Sequence, residues 1–227
     1  MNDATLDRYS VLRPQVWQTL HERQRAMLRG LRAYAQLHPA APWPAANPMS
    51  SWSLIEVGCG AGGNLLDLLR WGFLPQHLTG LELLPERFDQ ARQVLPEGTR
   101  LWLGDASQAP VAAASQHLVL QATVFSSLLD NQVQQRLARA MWSWLRPGGA
   151  VLWYDFTVNN PRNAQVRGVP LPRVRALFPQ ARVVSERLTL APPLARALCQ
   201  LHPALYPLFN RLPLLRTHVL AWLHTSP

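Results

Sequence analysis

The stretch Leu54-Ile-Glu-Val-Gly-Cys-Gly-Ala-Gly-Gly-Asn64 decides how this chain is read. An apolar run ends in glycines, and Gly58, Gly60 and Gly63 satisfy the G-x-G-x-x-G spacing of a strand-to-helix turn whose backbone a ligand can touch. Such a turn presents unpaired N–H groups and favours negative charge, whether a pyrophosphate or the carboxylate of an amino-acid-like ligand. The spacing does not choose between them. Nor does Glu82, because an acid ending the second strand accepts ribose hydroxyls in either case. Glu56, two residues before the first glycine, bears directly on the choice. A pyrophosphate gains nothing from a carboxylate there, whereas an ammonium or sulfonium group gains a counter-charge. The residues favour a zwitterionic ligand over a nicotinamide dinucleotide.

Around this turn, strand and helix patterns alternate. Apolar residues at three- and four-residue intervals (Val16, Leu20, Met27, Leu28, Leu31, Tyr34) predict a helix from about Arg13 to Leu37, and the prolines of HPAAPWPAANPMSSWS end it. Ser53 to Val57 reads as a buried strand, Gly63 to Trp71 as a helix, Leu78 to Leu83 as a second strand and Glu86 to Val94 as a helix. Thr99 to Leu103 and His117 to Ala122 follow as strands, then Asn131 to Leu145 as a long amphipathic helix stopped at RPGG, then AVLWYDF as a fifth strand. This alternation predicts an α/β three-layer sandwich, a mostly parallel sheet with helices on both faces. Beyond Asn160, Leu171 to Leu177 reads as a helix, Arg182 to Leu190 as a strand and RTHVLAWLHT as a last strand. APPLARALCQLHPALYPLFNRLPL shows no clean period.

A chain of 227 residues suits one domain with an elaborated end. The expected division is a helical cap and Pro-rich linker over 1–50 and a catalytic domain over 51–227, with 170–215 elaborating its acceptor side. No run reaches about 18 apolar residues and the N-terminus is polar, so a soluble, cytoplasmic protein is expected. Cys59 and Cys199 lie in unrelated contexts and are read as free thiols, with no metal site implied. The formal charge is +9 and all 22 basic side chains are arginine, a bias of coding more than of mechanism. After Asn160 nine arginines face a single acid, Glu186. That basic region is either a solvated face or an attractor for nucleic acid, a phosphate-bearing glycolipid or a membrane surface.

IEVGCGAGG, LTGLELLPERFDQAR, LGDAS and LRPGGAVLWYDF, in this order and spacing, resemble the successive motifs of class I S-adenosylmethionine-dependent methyltransferases. The resemblance covers about Ser53 to Phe156, and RTHVLAWLH is similar to the family's last antiparallel strand. It implies a seven-stranded sheet and S-adenosyl-L-methionine as cofactor. By the same resemblance Glu56, Gly58, Cys59 and Gly60 line the methionine end, Glu82 takes the ribose hydroxyls and Leu83 packs beside the adenine. Asp105 and the backbone of Ala106 hold the adenine ring, and Gln121 with Ala122 lies beneath the methionine moiety. The overall pattern is similar to small bacterial methyltransferases encoded near polysaccharide biosynthesis genes, which implies a sugar hydroxyl as acceptor.

Methyl transfer from a sulfonium is an in-line displacement that rewards alignment and exclusion of water. For a hydroxyl acceptor, a general base belongs at the carboxyl edge of the fourth or fifth strand. Asp155 and Tyr154 close the fifth strand and are the candidate catalytic pair; the alternative for Asp155 is a structural carboxylate bonded to backbone amides or to Arg162. His202 and His218 are further candidates. The Asn-Pro of YDFTVNNPRN resembles part of the N-P-P-Y signature of nucleobase amino-methylases, but it follows the wrong strand and lacks the second Pro and the aromatic. Neither cysteine has the Pro-Cys context of a cytosine-C5 enzyme. The expected acceptor is a small molecule or glycan; an RNA or protein methyltransferase using the basic end, and a nicotinamide oxidoreductase, are the alternatives. The N-terminal helix is expected to cover the cofactor cleft through Tyr9 and Trp17, and Ala191 to Leu215 to form a lid with Arg196, Arg211 and Arg216 at its corners.

Overall fold

The computed structural model describes residues 10–37, 47–159 and 163–226; Tyr9 and Arg162 lie outside them. In chain order the elements are α1 (Pro14–Leu37), β1 (Leu54–Val57), α2 (Gly63–Arg70), β2 (Leu78–Glu82), α3 (Pro85–Val94), β3 (Arg100–Leu103) and β4 (Gln116–Ala122). There follow α4 (Asn131–Trp144), β5 (Leu145–Phe156), α5 (Leu171–Leu177), β6 (Arg182–Leu190), α6 (Pro192–Leu201), α7 (Leu205–Phe209) and β7 (Arg216–His224). The seven strands form one sheet in the order β3-β2-β1-β4-β5-β7-β6. β1 to β5 run parallel, and β7 is antiparallel to both β5 and β6. From β1 the chain winds outward to β2 and β3, then returns to β4 on the other side of β1. The strand order reverses at β1/β4, and a crevice opens there at the carboxyl ends of the strands.

The central strands are apolar throughout because both faces of the sheet are covered. Alternate residues feed separate cores. Leu54, Leu118 and Leu152 pack with Met27 and Leu31 of α1 on one face, while Ile55, Val119 and Val151 pack with Leu137 and Met141 of α4 and Val174 of α5 on the other. A third, smaller cluster joins Leu190 to Ala195, Leu198, Cys199 and Tyr206.

Two segments differ from the sequence reading. α4 ends at Trp144, just ahead of RPGG as read, but RPGG itself is not a turn before the strand: it belongs to β5, which begins at Leu145. Leu145 already pairs with Gln116, and a register irregularity before Leu118 absorbs the turn. The segment without a clean period forms α6 and α7, one helix opened by Pro192 and Pro193 and a five-residue one containing Pro207, so prolines interrupt the pattern.

α1 lies across the sheet on the β6, β7, α6 and α7 side. Its close approach rests on Gly30, where a Cβ would come within 2.2 Å of the Trp222 indole. Tyr34 anchors its last turns by donating to the Gly148 carbonyl at 3.0 Å.

Candidate functional site

The glycine turn leaves β1 at the switch point. Gly58 and Gly60 adopt φ of +65° and +57°, the left-handed region that favours glycine. A Cβ on Gly58 would strike Val124, but one on Gly60 would meet nothing within 4 Å, so Gly60 opens onto space that a ligand can fill. Cys59 is turned away from that space: its thiol packs in the sheet core, and burial pushes its pKa up to about 12.

Three acids stand at the carboxyl ends of β1, β2 and β3, and their surroundings differ. Glu82 is nearly buried; its Oε2 accepts from Gly60 N at 2.8 Å and its Oε1 from Leu83 N and Leu84 N at 3.0 Å each. It thereby holds the glycine turn against β2. Asp105 is exposed, with Oδ1 accepting from both the backbone and hydroxyl of Ser107 and with Ala106 half-buried beside it. Leu83 is 63% exposed, an apolar side chain left bare between these two acids. Glu56 is completely buried; Asn64 Nδ2 donates to its Oε1, and its Oε2 has no partner. Burial raises its pKa to about 7 against the lowering pull of the Asn64 bond and of Arg23.

Arg23 is a site residue that no local pattern reveals. From α1 its Nη2 donates to Asn64 Oδ1 at 2.8 Å, its guanidinium lies 5.4 Å from the Tyr154 ring centroid, and its buried Nε has no partner. An unpartnered carboxylate oxygen and an unpartnered guanidinium N–H thus flank Asn64 beside the open face of Gly60. That donor set fits a ligand with both an ammonium and a carboxylate, and a pyrophosphate would find Glu56 repulsive.

The neighbours of Arg23 extend the network. Glu22 accepts from Thr189 N, from Tyr206 Oη at 2.9 Å and from Asn210 Nδ2 at 2.7 Å, joining α1 to the end of β6 and to α7. Gln24 donates to Asp67 of α2 at 2.7 Å. The middle of α1 therefore bridges the carboxyl edge of β1 and that of β5 and β6.

Several expected roles are redirected by burial. Asp155 has no exposed surface; Oδ2 accepts from Ser126 N at 3.1 Å and Oδ1 from Phe156 N at 2.9 Å. It holds the turn Phe125–Ser127 to the end of β5, so the structural alternative describes it and a general base does not. Burial nonetheless raises its pKa to about 6. Tyr154 is 3% exposed and bonded to Thr189 Oγ1 at 2.7 Å, and burial lifts its pKa to about 12, which removes it as a base. Gln121 is buried with its amide committed to the Tyr154 carbonyl and its oxygen to Val124 N, so its side chain shapes the floor of the crevice without being free to contact a ligand. His218 stacks on Tyr154 at 5.1 Å, is only half-buried by exposure, and has its pKa lowered to about 4 by desolvation and then by Arg23. His202 is exposed, away from this edge, with Ala204 N donating to its Nδ1. Trp17 is 51% exposed and lies against the His21 ring at a 42° tilt.

The sheet order and the N-terminal helix are those of the class I S-adenosylmethionine-dependent methyltransferase fold. A family model described as "Methyltransferase domain" matches residues 54–149. Among solved structures, the chain is similar to the N-methyltransferase NodS from Bradyrhizobium japonicum, with a TM-score of 0.61 and 17% identity over 92% of this chain and 98% of that one. It is also similar to a SAM-dependent methyltransferase from Archaeoglobus fulgidus, with a TM-score of 0.60 and 11% identity over 89% and 94%. A curated relative, the tRNA N(3)-methylcytidine methyltransferase of Drosophila melanogaster, is 30% identical over 115 residues, or 46% of this chain. The chain spans about a third of that relative's length, 34%. S-adenosyl-L-methionine is the cofactor that a methyltransferase domain of this fold implies. Among the described residues no helix is long and apolar enough to cross a membrane.

Proposed function

We propose that the chain transfers a methyl group from S-adenosyl-L-methionine to an oxygen of a small-molecule or glycan acceptor, as the resemblance to methyltransferases encoded near polysaccharide genes suggests. Glu56 Oε2 receives the cofactor's ammonium, Arg23 its carboxylate, Glu82 its ribose and Asp105 its adenine amine, with Leu83 against the ring. The bound cofactor supplies an electrophilic methyl on sulfur. The protein's part is to align an acceptor with it and keep water out.

The observation that supports a small acceptor is the roof over the acceptor edge. Glu22 ties α1 to Thr189, Tyr206 and Asn210, so the edge beside Tyr154 and His218 is bounded by α1 and the 170–215 elaboration. His218, partly exposed, with its pKa lowered to about 4 and its Nδ1 bonded to Thr217, accepts a hydrogen bond from the acceptor hydroxyl through Nε2 in this reading. Labelled cofactor offered with activated sugars, lipid-linked sugars and total RNA tests the reading; label in sugar fractions is expected. An RNA acceptor is the second reading, supported by the Drosophila relative and the basic C-terminal region. Label in RNA alone would establish it in place of the first.

A further inference from the structure

On the α4 side of β5, away from Glu56 and Arg23, a cavity of about 240 Å³ is lined by Arg167, Arg173, Asn131, Gln134 and Val169 among others. That volume is several times the roughly 30 Å³ share of one liquid water. Its two guanidinium groups converge on one residue: Arg167 Nη2 donates to Asn131 Oδ1 at 2.6 Å, and Arg173 Nη2 donates to the Asn131 carbonyl at 3.3 Å. Arg173 Nε is held further by Gln134 Oε1 at 3.0 Å. Gln134 is 1% exposed, and its own amide is fixed by the carbonyls of Phe125 and Leu128. Arg173 is therefore fixed by a buried amide, while Arg167 is held at the rim of the cavity by the exposed Asn131 side chain.

Neither has a carboxylate partner. The ion pairs found among the described residues are Arg29–Glu186, Arg70–Asp67 and Arg92–Asp89. Asp130, which precedes Asn131 in the chain, caps α4 by accepting from Gln132 N at 2.7 Å. Two cations converging on one neutral residue repel each other, and an anion between them removes that repulsion while using their remaining N–H donors. The cavity also adjoins the reaction edge, because Arg167 N donates to Ser126 O and Val169 N to Phe156 O, both at 2.8 Å.

We propose that this cavity is a phosphate subsite that seats the phosphate or diphosphate group of the methyl acceptor. The proposal rests on the small or glycan acceptor reading and sharpens it to a phosphorylated acceptor, either a sugar nucleotide or a lipid-linked diphosphate. Arg167 and Arg173 clamp the oxyanion and thereby orient the rest of the acceptor along the edge of β5.

Calorimetric titration with inorganic pyrophosphate at low ionic strength, on full-length protein loaded with S-adenosylhomocysteine, tests it. Arg167→Gln and Arg173→Gln are each expected to weaken pyrophosphate binding roughly ten- to a hundredfold, the loss of one charge-assisted contact. Arg175→Gln, on the exposed side of α5, is expected to leave binding unchanged, and S-adenosylhomocysteine affinity stays constant in every variant. Equal pyrophosphate binding by wild type and the double variant overturns the proposal, as does an equal loss in Arg175→Gln. Competition then separates the sources: displacement by UDP-N-acetylglucosamine points to a sugar nucleotide, and displacement by citronellyl diphosphate to a lipid-linked one. Displacement by tRNA alone overturns the phosphorylated small acceptor. If S-adenosylhomocysteine does not bind wild type, the methyltransferase reading fails separately.

Discussion

Burial penalises the Glu56 carboxylate, and the cofactor contact proposed for it uses its charge, so Glu56→Gln is expected to raise stability in the absence of cofactor and to weaken cofactor binding. Its pKa is raised from 4.5 to about 7 in the folded chain, chiefly by burial. A group raised on folding contributes stability that is full below its unfolded value, here 4.5, and is lost as pH rises through about 7. The shift corresponds to about 3 kcal/mol of native-state stability lost by pH 8.5, since one unit is worth about 1.4 kcal/mol. Glutamine has the same shape and no charge. Allowing about 1 kcal/mol for an amide donor placed where Oε2 had no partner, the variant gains about 2 kcal/mol at pH 8.5. For a chain of this size that is a melting rise of roughly 4–8 °C; the gain vanishes at about pH 5, and below that the variant is less stable by up to about 1 kcal/mol. The same change would remove the charge-assisted contact proposed with the cofactor's ammonium, and S-adenosylhomocysteine is expected to bind roughly ten- to a hundredfold more weakly. Thermal unfolding across pH 4.5 to 8.5, with calorimetric titration at neutral pH, measures both effects. Wild-type affinity in the variant, or a lower melting temperature at pH 8.5, would refute the reasoning.

Gly60→Val places a β-branched residue at φ +57° and a side chain in the open face of the turn. It is expected to cost roughly 1–3 kcal/mol of stability and to abolish S-adenosylhomocysteine binding with the circular dichroism unchanged; a normal titration would contradict it. Gly30→Ala drives a methyl into Trp222, and overpacking of about 1–3 kcal/mol is expected to lower the melting temperature and shift tryptophan emission as α1 lifts. Unchanged melting would show that α1 accommodates the methyl. Asp155→Asn turns an amide toward one of two backbone donors and is expected to destabilise by about 1–3 kcal/mol with a matching loss of cofactor retention. Slow transfer at full stability and affinity would return Asp155 to the role of general base. S-adenosylhomocysteine is expected to raise the melting temperature and NADH to leave it unchanged; a shift with NADH alone would refute the cofactor assignment.

The alternation of periods, the glycine turn and the placement of Glu56, Glu82 and Asp105 at successive strand ends were legible in the sequence. Each depends on residues close together in the chain, and strand or helix spacing converts such neighbours directly into a shared edge or face. The C-terminal helices were not legible, because Pro192, Pro193, Pro203 and Pro207 punctuate the segment and break one helical pattern into α6 and the five-residue α7. The direction and commitments of side chains at the edge were decided by tertiary packing. Asp155 and Tyr154 stand at the strand end as expected, yet both faces of the sheet are covered there, and burial commits one to backbone amides and the other to Thr189. Arg23 reaches Asn64 from a helix 41 residues away, and Arg167 meets Arg173 at Asn131 from separate elements. Charges drawn together across such separations depend on how α1, α4 and the chain after β5 pack, and no local spacing encodes that.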